Sequence, residues 1–175
     1  MSDRTPDDEP GFASIIDRFS IATGHLVSWL TLLMVVVTFV IVILRYLFAS
    51  GFIWLQESLT WMHACVFMLG AAYTLQREEH VRVDIFYREM TDRRRALINL
   101  LGVLLFLMPL CAFFIVSGFD YAAASWRVAE ESRNSGGLPY PALPLLKSVL
   151  IVMPVTVALQ GLALMLRSFV KLRAA

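Results

Sequence analysis

Two histidines, His25 and His63, are the residues whose type best suits them to bind a haem iron. Axial ligands on two helices must reach one iron at the same depth. If both helices cross a membrane, His25 lies where the first span begins, at one membrane surface. His63 lies about ten residues, or roughly 15 Å, into the second span, which is near the middle of the membrane. The spacing therefore disfavours haem, and no cofactor or metal is predicted. We expect His63 to pack against or hydrogen-bond to a neighbouring helix.

Arg45 and Glu57 form the charged pair with the most suggestive spacing, on either side of a tight turn at Ala49 to Gly51. The turn makes the flanking helices antiparallel neighbours, so the two side chains would lie near the same end of the bundle. Two alternatives stay open: an ion pair, or separate extension of each side chain to the membrane interface. Glu57 could also contact a partner chain. Gln160 is a second candidate for a polar contact inside the membrane.

Catalytic motifs are missing from the sequence. It contains no His-Glu-x-x-His helix, no glycine-rich phosphate loop, no nucleophile elbow and no paired intramembrane aspartates. Cys65 and Cys111 both fall within apolar stretches, where a disulfide framework is not expected. The chain is predicted not to be an enzyme.

Composition predicts the elements that carry these residues. Of the 175 residues, 58% are hydrophobic and only 17% are charged, which exceeds the apolar content of an ordinary soluble domain. Four stretches contain no Asp, Glu, Lys or Arg: 26–44, 58–76, 96–119 and 148–166. Each is long enough to cross a hydrocarbon core of roughly 30 Å. We predict an all-α integral membrane protein, with one four-helix domain over 11–175 and spans at about 25–48, 53–76, 96–121 and 145–168.

The distribution of basic residues predicts the orientation. Most lie before the first span, between the second and third, or after the fourth: Arg4, Arg18, Arg77, Arg82, Arg88, Arg93, Arg94, Arg95, Arg167, Lys171 and Arg173. Fewer lie on the other side: Arg45, Arg127, Arg133 and Lys147. The positive-inside rule then places both termini in the cytoplasm. The net charge of +1 gives no reason to expect nucleic acid as a partner.

The segments outside the spans differ in character. Residues 1–10 are acidic and contain two prolines, so a disordered cytoplasmic tail is predicted rather than a signal peptide. Residues 11–23 and 77–95 have apolar positions at helical spacing and are predicted to be amphipathic helices in the membrane interface. The alternatives are that 11–23 extends the first span, and that 77–95 is a solvated basic loop. Gly24 is expected to permit a bend after the first of these segments.

Five residues are candidates for anchoring the protein in the membrane. Trp54 and Trp61 fall in the first turns of the second span, where tryptophan favours the headgroup level. Arg93, Arg94 and Arg95 precede the third span on the predicted cytoplasmic side, close to anionic lipid. Membrane lipid is therefore an expected partner of the chain.

A family resemblance rests on a combination of residues across nearly the whole chain. They are Arg45, Tyr46 and Phe48, then Trp54 and Glu57, then Gly70, Ala71 and Ala72, then His80, Val81, Val83 and Asp84, then Pro141, Leu143, Pro144 and Lys147, and finally Leu159 with Gln160. With this length, span number and inferred orientation, the sequence resembles the small membrane subunit (DctQ type) of tripartite ATP-independent periplasmic (TRAP) transporters.

The resemblance implies a division of labour. A large multispanning subunit would carry the substrate and ion sites, and a periplasmic binding protein would deliver an organic acid. The small subunit would act as a scaffold in the bacterial inner membrane during uptake driven by an ion gradient, sodium being expected. Two other functions remain as alternatives: a small homo-oligomeric channel or exporter, and, less favoured, a haem-bearing membrane anchor.

Overall fold

The structure is a computed structural model that describes residues 11–77 and 90–174. This part of the chain is built from helices. They are α1 (Gly11–Leu47), α2 (Ile53–Gln76), α3 (Asp92–Gly102), a π-helical turn (Val103–Leu107), α4 (Met108–Arg127) and α5 (Ala142–Ala174). The third span consists of α3, the π-helical turn and α4 in succession, and α5 forms the fourth.

The prediction of an all-α protein with four membrane-spanning helices is confirmed. Four helical stretches are long and apolar enough to cross a bilayer: Ala13–Leu47, Ile53–Gln76, Arg93–Arg127 and Ala142–Val170. Each of the four stretches without charged residues lies inside one of them. Many large apolar side chains on these helices point outward, as expected for a surface that contacts lipid.

The fourth span, α5, packs against α1, α2, α3, the π-helical turn and α4. It runs antiparallel to α1 and to the third span, and in the same direction as α2. The connections 48–52 and 128–141 meet at one end of the bundle, which we call the turn end. The opposite end, where α1 begins and α5 finishes, is called the terminal end. A small buried apolar cluster of Ala13, Ile16 and Ala163 joins α1 to α5 there.

Helix α1 is continuous from Gly11 to Leu47, so residues 11–23 extend the first span as one helix. The helix is not interrupted at Gly24, and this glycine lies against α2. A Cβ atom at Gly24 would lie 2.5 Å from two ring atoms of Tyr73 on α2. One helical turn further, Gly70 on α2 faces Val27 on α1, and a Cβ there would be 3.8 Å from the valine. Glycine thus permits the close approach of α1 and α2.

Substitution of Gly24 tests this close approach. Gly24→Val is expected to lower the free energy of unfolding by about 1–3 kcal/mol, because the aromatic ring cannot yield without separating the helices. Gly102→Ala is the matched control, since a Cβ there meets nothing within 4 Å and alanine favours the helix. Thermal unfolding in mild detergent measures both variants. Equal midpoints would contradict the packing role of Gly24.

The π-helical turn at Val103–Leu107 follows from Pro109. Proline has no N–H to donate to the carbonyl four residues earlier. In the turn, the Met108 N–H donates to the Val103 carbonyl, five residues back. The side chains of Leu107 and Met108 then pack over Gly161 of α5, where a Cβ would come 2.6 Å from Leu107 Cδ2. The irregular turn is therefore accommodated by a glycine on the neighbouring helix.

The helices extend beyond the spans predicted from the sequence. The helix of the third span continues to Arg127, as the helical spacing of Phe119, Ala122 and Trp126 indicates, and α5 begins at Ala142. The disordered tail predicted at 1–10 lies outside the described residues. So does most of the interfacial segment predicted at 77–95, of which residues 78–89 are not described.

Candidate functional site

The turn end is organised by Glu57, near the start of α2. Its Oε1 accepts hydrogen bonds from Ser132 Oγ at 2.5 Å and from Asn134 Nδ2 at 2.8 Å. Its Oε2 accepts one from the Leu138 backbone N–H at 2.7 Å. A carboxylate is favourable near a helix N-terminus, where the peptide dipoles present partial positive charge. One side chain of α2 therefore holds three points of the loop 128–141.

The loop in turn completes the start of α2. The Trp54 N–H, which has no acceptor within the helix, donates to the Gly136 carbonyl at 3.1 Å. Gly136 has a φ of +78°, a conformation that favours glycine. At Gly137 a Cβ atom would lie 2.7 Å from Glu57 Oε2, so the backbone can approach the carboxylate only without a side chain. The two glycines Gly136 and Gly137 thus allow the loop backbone to lie against the start of α2.

A second charged pair anchors the other side of the loop. Lys147 on α5 donates to Glu130 Oε2, which also accepts from Ser125 Oγ at 2.7 Å. The Lys147 hydrogen bond, followed by that from Ser125, lowers the pKa of Glu130. Beside the pair, the Trp126 indole N–H donates to Ser148 Oγ at 3.0 Å. The loop 128–141 is therefore tied to both α2 and α5.

Acidification is expected to weaken this second anchor. The pKa of Glu130 is lowered from 4.5 by its partners, so the stabilisation is complete above that value and is lost as pH falls through the folded-state pKa. We expect Glu130→Gln to reduce the unfolding midpoint in detergent at about pH 6, with the difference from the unchanged protein shrinking as pH falls below the ordinary glutamate pKa. Glu131→Gln, at the exposed neighbouring position, is the control. A pH-independent difference would contradict the prediction.

A cavity of about 400 Å³ lies between α2 and the loop. Its lining residues are Ser58, Trp61, Met62, Leu138, Pro139, Tyr140, Pro141, Ala142 and Leu145. The lining is mostly apolar and includes no charged side chain, whereas recognition of a carboxylate normally uses basic side chains or several N–H donors. This cavity is therefore poorly suited to bind an organic acid.

The terminal end carries a separate polar cluster around Asp17. This residue pairs with Arg167 and accepts a hydrogen bond from Gln160 Nε2 at 2.8 Å. The Gln160 Oε1 atom accepts one from Ser20 Oγ at 3.1 Å, and both of these residues are buried. Asp17 thus joins the start of α1 to the last part of α5.

The structure places the predicted site residues in different environments. Gln160 is buried in the polar cluster, whereas His63 is exposed on the outer face of α2. Arg45 is exposed near the end of α1 and is not among the hydrogen-bond partners of Glu57 in the described chain. The ion pair proposed from the sequence therefore has no counterpart among these contacts.

Some of the candidate anchoring residues are exposed, and others contact the rest of the protein. Trp54 is 47% exposed, while the Trp61 indole N–H donates to the Ala142 carbonyl at 3.0 Å. Arg93 and Arg94 are exposed at the start of α3, and Arg95 is partly buried. Within residues 11–77 and 90–174, no three His, Cys, Asp or Glu side chains could hold a metal ion.

Sequence reasoning missed the partners of Glu57 and of Asp17. Ser132, Asn134 and Leu138 lie 75 or more positions from Glu57, and Gln160 lies 143 positions from Asp17. The only local signal was the Asn134 to Gly137 run, which marks a loop but does not identify a partner. The arrangement at both ends holds helices and a loop in place.

These features define a class: a multi-pass membrane protein whose charged groups stabilise the two ends of a four-span bundle. Comparison with known sequences then gives the family. A family model described as "Tripartite ATP-independent periplasmic transporters, DctQ component" matches residues 34–171. The chain belongs to this DctQ family of transporter components, and it is a multi-pass protein of the inner membrane.

The chain is also similar to a curated relative from Vibrio cholerae, the "C4-dicarboxylate TRAP transporter small permease protein DctQ". The two are 34% identical over 92 residues, which is 53% of this chain and 37% of the relative. The match therefore spans well under half the length of that relative. No solved structure matches the chain significantly. The resemblance inferred from the sequence is confirmed at the level of the family.

Proposed function

We propose that this chain is the scaffold subunit of a TRAP transporter, supporting a large multispanning subunit that carries out the transport. The observation that carries this proposal is the position of charge within a chain of the DctQ family. Each described span contains a long stretch without Asp, Glu, Lys or Arg, and the ion pairs at Glu130 and Asp17 lie towards the ends of the bundle. A subunit that bound ions and substrate by itself would need a cluster of charged or polar groups near mid-membrane, rather than isolated polar side chains such as His63.

The substrate class follows from the relative rather than from a site in this chain. The Vibrio cholerae relative is named for C4-dicarboxylates, which supports uptake of an organic acid. We propose that an ion gradient, with sodium as the coupling ion, drives this uptake. A periplasmic binding protein would deliver the substrate to the large subunit, and the apolar cavity at the turn end is not its binding site.

The scaffold role has a physical form. With both termini in the cytoplasm, Arg93, Arg94 and Arg95 would lie near anionic headgroups, and Trp54 would lie at the opposite interface. Such contacts at both membrane surfaces would resist movement of the small subunit relative to the bilayer. The large subunit could then move its substrate site against a fixed neighbour, and the loop 128–141 would face the binding protein.

Purification of the tagged chain from its native host tests this function. Mild detergent should recover one large multispanning protein in stoichiometric amount, identified by mass spectrometry. Proteoliposomes with both subunits, a sodium gradient and the binding protein should accumulate an organic acid, and those lacking the small subunit should not. Recovery of this chain only as a homo-oligomer would contradict the proposal and favour a channel.

A further inference from the structure

The outer face of α2 is unusual for a helix in a membrane. Its span is the least hydropathic of the four. Gln56, Thr60 and His63 follow one another at spacings of four and three residues, so they share one face, and all three are exposed. The buried residues of α2, by contrast, are Met62, Cys65 and Ala72. We call the three polar residues the α2 polar stripe.

The depth of this stripe makes its exposure costly in lipid. Gln56 is about 5 Å along α2 from its first residue, and His63 is roughly 15 Å along, close to the middle of a hydrocarbon core of about 30 Å. Among the described residues, neither side chain has a hydrogen-bond partner. The Thr60 hydroxyl donates only to the Gln56 carbonyl, at 3.4 Å. Polar groups at such depth ordinarily face the interior of a bundle or a partner.

Exposed polar residues on helix α1 differ from those of the stripe. Its exposed hydroxyl residues, Ser28, Thr31 and Thr38, donate to carbonyl oxygens one helical turn earlier, at 2.9, 3.2 and 2.7 Å. These side chains satisfy their own hydrogen bonds and can face lipid at little cost. An amide and an imidazole cannot do so in the same way. The His63 imidazole near mid-membrane, and the Gln56 amide nearer the surface, are therefore favoured by polar groups from another molecule.

We propose that the α2 polar stripe is the contact surface for a membrane-spanning helix of the large subunit, whose polar side chains or free carbonyls hydrogen-bond to His63 and Gln56. This inference rests on the proposed function. The two positions are seven residues apart, so the partner helix presents polar groups about 10 Å apart in depth. Gln56 and His63 can each donate and accept, and this complementarity favours a polar helix over lipid.

A second copy of this chain fits the surface less well. Copies with the same orientation would pair α2 with itself, and close pairing of identical helices usually relies on small residues. The outward positions Ile53, Gln56, Thr60, His63 and Phe67 include no Gly, Ala or Ser. Gly70, which could permit close approach, faces Val27 of α1. The bulky polar surface thus favours a partner helix of different shape.

Site-specific photo-crosslinking tests the inference in the intact membrane. A photoreactive phenylalanine analogue is placed at Gln56, Thr60 or His63, with Val36 of α1 and Phe113 of α4 as exposed controls near mid-membrane. Adducts with the large subunit are expected from the three stripe positions and not from the two controls. If the large subunit co-purifies but the adducts arise only from the controls, the inference is overturned and the proposed function stands.

Substitution gives an independent measurement. His63→Leu and Gln56→Leu keep side-chain volume while removing hydrogen bonds, and together they are expected to reduce the co-purified large subunit by about tenfold or more. Thr38→Val is the matched control and should retain it. Unchanged recovery in the double variant, or adducts between two copies of this chain, would overturn the inference. Failure of the unmodified chain to recover any large subunit would instead refute the proposed function.

Discussion

Replacing Asp17 by alanine is expected to lower the unfolding midpoint of the protein in detergent by roughly 5–10 °C. The Asp17 and Arg167 side chains are only 15% and 14% exposed. Removing one partner of a buried ion pair costs about 3–5 kcal/mol, and partial exposure places this pair towards the lower end. The substitution also removes the acceptor of the Gln160 amide, which is buried.

Two further variants separate charge from hydrogen bonding at this position. Asp17→Asn keeps an oxygen for Gln160 but loses the charge facing Arg167, so its midpoint should fall between those of Asp17→Ala and the unchanged protein. Arg18→Ala alters the adjacent exposed residue and should change stability by less than about 0.5 kcal/mol. Thermal unfolding followed by tryptophan fluorescence measures all three. Similar unfolding midpoints for Asp17→Ala and Arg18→Ala would show that the buried cluster around Asp17 does not stabilise the protein.

The four spans could be predicted because their signal is local. A run such as 26–44 without charged residues needs no knowledge of its neighbours, since lipid satisfies an apolar surface wherever it lies. Where a helix ends also depends on contacts between elements. The third span continues to Arg127, where Trp126 bonds to Ser148 and Ser125 bonds to Glu130. These partners are invisible to a hydropathy pattern.

The polar clusters could not be predicted for a related reason. Glu57 and Gln160 stood out in the sequence as polar residues in apolar surroundings, but their partners are fixed by how the spans pack. Gly24 illustrates the same point. The sequence suggested a bend at this glycine, whereas the fold shows that it lies against the ring of Tyr73. Residue type indicated where polar contacts would be needed, and only the fold shows which residues make them.

Glu57→Ala is expected to release the loop 128–141 from α2 and to raise its rate of proteolytic cleavage by on the order of tenfold, because cleavage follows the population of the open loop. The change removes the acceptor of Ser132, Asn134 and the Leu138 N–H together. The Glu57 carboxylate lies so close to Gly137 that a Cβ atom there would clash with it. No other group can easily take the place of the carboxylate at this position.

Limited proteolysis of membrane vesicles, with the turn end accessible to protease, measures this release. Glu57→Gln keeps the side-chain shape, but its amide NH2 group replaces one acceptor oxygen and faces a hydrogen-bond donor of the loop. We therefore expect a cleavage rate between those of Glu57→Ala and the unchanged protein. Glu131→Ala changes another acidic residue of the same loop, exposed and without a part in the Glu57 contacts, and should leave cleavage unchanged. Arg45→Ala tests the ion-pair alternative directly, because it should accelerate cleavage only if Arg45 holds Glu57 in place. Equal rates for Glu57→Ala and Glu131→Ala would show that the carboxylate does not hold the loop.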